Sequence, residues 1–173
     1  MTSSSGSADL ARAPAASEMT DSLVRVSFTV TALLSRVAAE HDLSLTQLRV
    51  LAILRDHEPT MAELASYLGL ERSSVSGLID RAVKRGLVRR DPSSDDGRAV
   101  RLSLTQGGQH LASLGAEEVA ALMAPMTTGL TPADQKRLGI LLDRMLLAAG
   151  LGAAGPVSRT ESASGRGRRA GRA

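Results

Sequence analysis

MAELASYLGLERSSVSGLIDRAVKRGLVRRDPSSDDGRAVRLSL, residues 61–104, reads as a short helix, a tight turn, a longer helix and a basic hairpin with a polar tip. Thr60 and Glu63 form a Thr-x-x-Glu capping box that opens the short helix, whose apolar positions are Met61, Leu64, Ala65 and Leu68. Gly69 supplies the left-handed residue that a tight helix end needs. The second helix is predicted from about Arg72 to Arg85, where the helical period puts Val75, Leu78, Ile79 and Ala82 on one buried face. Its opposite face carries Ser73, Gly77, Asp80 and Lys84, flanked by Ser74, Ser76 and Arg81. Gly86 ends the helix. Leu87–Arg90 and Arg98–Leu104 read as strands, the second with Val100, Leu102 and Leu104 on one side and Arg101 and Ser103 on the other. Between them Asp91-Pro92-Ser93-Ser94-Asp95-Asp96-Gly97 is dense in turn formers.

Upstream, Leu23, Val26, Val30, Leu33 and Val37 recur at spacings of three and four, an a/d seam on a helix from near Thr20 to near Glu40. So narrow a seam needs a partner, either the core of its own chain or a second subunit. Ser44 and Gln47 form another capping box, opening a helix with Leu45, Leu48, Leu51, Ala52 and Leu54 on one side that ends before Pro59. Downstream, Thr105 is an N-cap candidate for a helix with Leu111, Leu114 and Leu122, interrupted by Pro125 and Gly129. Thr131-Pro132-Ala133-Asp134 then restarts a helix with Leu138, Leu141, Leu142, Met145 and Leu146 as its stripe. Residues 1–18 and 150–173 are poor in large apolar groups and are expected to be disordered. The fold class expected is mainly α with a small β-hairpin wing: one winged helix-turn-helix domain with outer helical arms.

Composition narrows the function. A chain of 173 residues, 43% apolar, fits one domain, and with Phe28 and Tyr67 as its only aromatics the core must be aliphatic. Two aromatics also argue against base stacking as a route to single strands. The absence of cysteine excludes disulfides, thiol sensing and thiolate metal sites. His41, His57 and His110 are scattered and form no metal-ligand spacing, so no metal or cofactor is expected. No nucleophile motif or glycine-rich phosphate loop is present, which argues against an enzyme. No apolar run looks long enough to span a bilayer and no secretory signal is evident, so a cytoplasmic protein without a membrane partner is expected.

Charge is unevenly spread. Residues 1–71 carry a net −4 and residues 102–156 a net −1, whereas residues 72–101 and 157–173 each carry +4. That is the distribution of a nucleic-acid binder, or else of a solvated basic face. A helix fits the major groove of double-stranded DNA, and its N-terminal residues, here Arg72, Ser73, Ser74 and Ser76, meet base edges. Gly77 removes a side chain from that face, for close backbone approach or as a surface accident. Arg81 and Arg85 lie later and point to phosphates or structural carboxylates. Asp80 would be repelled by DNA, so its role is to orient a neighbouring arginine. At the wing, Asp96 can hold Arg98 for entry into a narrow minor groove, with Arg89, Arg90 and Arg101 flanking the duplex. The plainer reading of Asp96 and Arg98 is a surface ion pair. The tail Arg166-Gly167-Arg168-Arg169-Ala170-Gly171-Arg172 would suit a nonspecific architectural DNA binder, or would raise the nonspecific affinity of a specific one.

Over residues 20–148 the chain resembles the MarR family of bacterial transcription regulators. The likeness rests on residues 45–51 (LTQLRVL), Leu64-Ala65…Leu68-Gly69-Leu70, residues 73–81 (SSVSGLIDR), Arg85-Gly86-Leu87-Val88 and the wing Asp91-Pro92…Asp96-Gly97-Arg98-Ala99-Val100…Leu104-Thr105…Gly108. The resemblance implies a homodimer that reads a palindromic operator, with residues 44–104 as DNA-binding lobe and residues 19–43 and 105–149 as dimerisation helices. It implies Asp96 and Arg98 as the wing pair and Ser73, Ser74, Ser76 and Arg81 as recognition-helix contacts. Two residues depart from the family: Gly77 stands where many members have Arg or Lys, and Glu71 where a better N-cap is usual. It also implies a repressor released by a small aromatic or anionic effector, bound in a cleft that His41, Arg25, Arg36 or Arg49 could reach. The family's cysteine-based peroxide sensing is excluded here.

Overall fold

The computed structural model describes residues 7–92 and 100–150. In chain order these form α1 (Ser7–Glu40), α2 (Leu45–Asp56), α3 (Met61–Leu68), α4 (Arg72–Lys84), β1 (Val88–Pro92), β2 (Val100–Leu104), α5 (Gln106–Thr127) and α6 (Pro132–Ala148). The two strands pair antiparallel in the register Val88↔Leu104 to Pro92↔Val100. A mainly α chain with one hairpin wing is therefore the observed fold.

Local chemistry sets most boundaries. Ser44 and Thr60 both form complete capping boxes, with Gln47 and Glu63 respectively. Glu63 accepts from the Thr60 backbone N–H at 2.7 Å and from its hydroxyl at 3.0 Å. These bonds hold its carboxyl below the ordinary range, the backbone bond contributing most. Gly69 ends α3 at φ 66°, where a side chain would be strained.

Several expectations need correction. Helix α1 begins at Ser7, not near Thr20, and takes in much of the segment expected to be disordered. That segment lacks large apolar groups, yet alanine is the strongest helix former, and propensity is a separate matter from burial. Helix α5 runs through Pro125 to Thr127, and the break comes after it. The proline lies in the last turn, where one lost hydrogen bond costs little, and Gln135 Nε2 caps the carbonyls of Thr127 and Leu130 across the break. Strand β1 reaches Pro92 instead of stopping at Arg90. Ser103, expected on the outer side of β2, is buried. Its hydroxyl donates to Asp91 Oδ2 and accepts from Arg89 Nε, which lies 2.8 Å away.

The core is aliphatic. Val37, Leu51, Ile53, Leu64, Val75, Ile79, Val88 and Leu102 are its largest fully buried side chains. The hairpin is fastened to the rest by Leu102 N–H to Pro59 O at 2.9 Å and by a Thr60–Arg101 bridge. Only the C-terminal end of the α1 seam, at Val37, enters this core, while Val26 is 50% and Phe28 71% exposed. Helix α6 has no buried residue, and Leu138, Leu141, Leu142, Met145 and Leu146 all face outward in the single chain.

One further expectation is overturned by α1. Its stretch Ser17–Glu40 is long and apolar enough, by length and composition, to cross a membrane. Arg25 and Arg36 lie within it, and an arginine at the centre of a bilayer costs about 3 kcal/mol even on insertion scales. Its C-terminal end is also packed in the chain's own core through Val37 and Ala38.

Candidate nucleic-acid interface

Helices α3 and α4 are joined by Gly69, Leu70 and Glu71, and Leu70 N–H bonds to Ala65 O at 3.0 Å to tighten the turn. Glu71 is the N-cap of α4 and makes no side-chain capping bond, so the first N–H groups of α4 are left without one. Val75, Ile79 and Ala82 anchor the inner face of α4, and Leu78 is half-buried beside them. Arg72, Ser73, Ser74 and Arg81 are exposed, and Ser76 and Gly77 are half-exposed. Arg72, Ser73, Ser74, Ser76 and Gly77 thus lie in the N-terminal half of α4 on its outer side, and Arg81 lies on the same side nearer the C-terminal end. Asp96 and Arg98 lie outside the described residues.

The described cations of the lobe sort into two groups. Those in the first are bound within the protein. Arg49 donates to the carbonyls of Tyr67 (2.7 Å) and Leu68 (3.4 Å). Arg85 donates to those of Asp42 (2.7 Å) and His41 (3.2 Å), and Arg101 to that of Glu58 (2.9 Å). Arg89 pairs with Asp91 at 3.1 Å, and Arg90 with Asp80 at 2.6 Å. Arg55 is bonded to Asp56, whose carboxylate holds the guanidinium above its ordinary value. In the second group, Arg72, Arg81 and Lys84 make no side-chain hydrogen bond or ion pair among the described residues. All three are on the exposed side of α4.

This changes several sequence assignments. Arg89, Arg90 and Arg101, expected beside a duplex, are each committed to a protein partner. Arg85 meets main-chain carbonyls in place of phosphates or carboxylates, and so ties the end of α4 to the α1–α2 turn. Asp80 does pair with an arginine, Arg90 on β1, at 2.6 Å. Once paired, the Asp80 carboxylate projects far less negative charge from the face of α4. Gly77 is not required by packing inside the chain, since a Cβ there would meet only Arg81 Nη1, at 3.6 Å. Of the cleft candidates, His41 Nε2 lies 2.7 Å from Glu118 Oε2, Arg36 pairs with Glu40, and Arg25 bonds to Ser22. A polar cavity of about 270 Å³ opens elsewhere, between the end of α2, the hairpin base and Gln109 of α5.

A short helix, a glycine turn, a second helix with its free cations and hydroxyls outward, and a hairpin fastened beside it define a winged helix-turn-helix protein. Residues 41–99 match the MarR family. The chain is 34% identical over 71 residues to the HTH-type transcriptional regulator YfiV of Bacillus subtilis, a match covering 40% of this chain and 44% of that one. The match thus spans less than half the length of YfiV. It is 29% identical over 122 residues to the HTH-type transcriptional repressor IacR of Pseudomonas putida, covering 70% of this chain and 73% of that one. Among solved structures, apo MarR of E. coli superposes with a TM-score of 0.61 at 27% identity, over 73% of this chain and 96% of that one. The repressor CouR bound to a 23-mer DNA duplex superposes with a TM-score of 0.61 at 25% identity, over 72% and 89%. Residues 41–99 thus carry the MarR-family match, and over nearly three quarters of its length the chain has the fold of MarR-type winged-helix transcription regulators.

Proposed function

We propose that the protein is a cytoplasmic, homodimeric repressor that binds a palindromic operator in double-stranded DNA. The observation that carries this reading is the division of cations in the lobe. The other described arginines of the lobe bond carbonyls or carboxylates, whereas Arg72 and Arg81, facing out from α4, make no such bond among the described residues. Arg72, Ser73, Ser74, Ser76, Gly77 and Arg81 enter the major groove, and Asp96 with Arg98 forms the wing pair at the minor groove. Residues 44–104 act as the reading lobe.

Dimerisation through residues 19–43 and 105–149 is supported by the apolar faces of α1 and α6 that their own chain leaves uncovered. Isolated helices of this length are marginal in water, so α6 needs a covering surface. Repression is supported by IacR and CouR, both named transcriptional repressors. Release by a small aromatic or anionic effector rests on the family alone, because His41, Arg36, Arg49 and Arg25 spend polar atoms on bonds within the chain.

The test is a footprint on DNA upstream of the protein's own gene, with random-sequence competitor, at two salt concentrations. Bounded protection of a palindrome, with half-sites about one helical turn apart, is the expected result. Protection spreading without boundaries, and vanishing as salt rises, would mark a nonspecific architectural binder relying on its basic tail, and would overturn the proposal.

A further inference from the structure

We infer that Arg81, lying back across Gly77, is the side chain that reads a guanine in each half-site. The inference rests on the reading of α4 as the DNA-contacting helix. Arg81 itself leaves the helix on its flank, on the side of Ser74. Side chains on a helix lean towards its N-terminus, which brings residue i+4 over residue i. Here the lean is fully used: Nη1 of Arg81 lies 3.6 Å from where a Cβ of Gly77 would be. The guanidinium is thus carried one turn towards the end of α4 where recognition helices meet base edges, and inward to the line of Ser73 and Gly77.

Three features fit base reading better than phosphate binding. The guanidinium makes no hydrogen bond or ion pair among the described residues, so its donor fork is intact. The Asp80 carboxylate, its neighbour in sequence, is engaged by Arg90 at 2.6 Å and makes no bond to Arg81. The position lies along the outward line of the helix, which faces the groove floor, while phosphates flank it. A planar fork of two N–H donors matches the O6 and N7 acceptors of guanine, the commonest specific contact of arginine in the major groove. A side chain longer than a methyl at position 77 would take the space that Nη1 occupies.

The test uses the full-length protein, first selecting preferred duplexes from a randomised pool, then measuring affinity for the selected operator. The operator is made with guanine or 7-deazaguanine, which lacks N7, at each guanine in turn. Wild type should lose about 5- to 150-fold at one guanine per half-site when N7 is removed. Arg81→Ala should be insensitive to that change and should select duplexes with the position relaxed. Arg81→Lys keeps the charge but not the fork; it should also lose the guanine while retaining the salt slope. If Arg81→Ala weakens all duplexes equally, lowers the salt slope by about one and keeps every base preference, Arg81 is a phosphate contact and the inference is overturned. Selection of no preferred duplex by wild type would overturn the proposed function itself, an outcome separate from the failure of Arg81 alone.

Discussion

Gly108→Ala should destabilise the protein although it puts a better helix former into α5. Gly108 stands in the first turn of α5, and its N–H bonds to the Thr105 hydroxyl at 3.0 Å. A Cβ at this position would overlap the Leu87 carbonyl oxygen, lie 2.9 Å from its carbon and press on Leu104 Cδ2 at 3.2 Å. The obstacle is backbone and is fixed: Leu87 O accepts from Thr105 N–H at 3.0 Å, and Leu87 N–H donates to Ala82 O at 3.0 Å. Relief therefore requires α5 to back away from the hairpin. That would pull Ala112 off the core and Gly115 away from Leu48. Overpacking of this kind costs about 1–3 kcal/mol and occasionally more. The gain of alanine over glycine offsets at most about 1 kcal/mol, and less in a first turn. A net loss of roughly 2 kcal/mol should lower Tm by roughly 4–8 °C in a chain of this size. Gly107→Ala is the control, because its Cβ would meet nothing closer than 3.8 Å and should leave stability unchanged or slightly raised. Thermal and urea unfolding followed by circular dichroism, at one protein concentration throughout, measures both. If Gly108→Ala matches Gly107→Ala, the crossing of α5 over the hairpin is not as close as described.

Two other outcomes follow from separate parts of the molecule. Leu141→Glu with Met145→Glu, at side chains 44% and 42% exposed in the single chain, should halve the mass measured by sedimentation while the helical signal of the lobe persists. An intact dimer would refute the role given to α6; Val37 is unsuited to this experiment because a charge there would break the chain's own core. The Thr60–Glu63 capping box should stabilise the protein at neutral pH and lose its effect in acid. Its carboxyl titrates lower in the folded than in the unfolded chain, so the contribution is complete above the ordinary glutamate value and fades as pH falls through the lowered one. The stability difference between wild type and Glu63→Gln should therefore shrink in acid, and a difference that widens would contradict the assignment.

What the sequence made legible was local. Capping boxes at Ser44 and Thr60, the glycine turn at Gly69 and the two faces of α4 depend on residues a few positions apart, and the structure has each where the pattern put it. The partners of the arginines were not legible. Arg85 with Asp42 and Arg101 with Glu58 join residues 43 apart along the chain, Arg90 reaches Asp80 from another element, and an exposed arginine looks the same in sequence whether it is spent or free. Ser103 was misplaced because strict alternation ignores a hydroxyl that can be buried once Arg89 and Asp91 close over it. The length of α1 was missed because low hydrophobicity was read as disorder. Gly77 is legible as a gap in the surface, whereas the neighbour that fills it, Arg81, depends on a side-chain conformation that the sequence does not encode locally.

The turn between α1 and α2 has a mechanical consequence. His41 and Asp42 lend their carbonyls to Arg85, Asp42 sits at φ 54°, and the His41 ring reaches Glu118 on α5. The C-terminal end of α4 is thus moored at a pivot, and Arg72 at its far end is about 20 Å away at 1.5 Å per residue. A rotation of about 10° at the mooring would sweep that far end by roughly 3.5 Å, close to the 3.4 Å rise of one base pair. On the proposed reading of α4, leverage of this size would put control of register on a duplex at a turn remote from the contacting face of the helix.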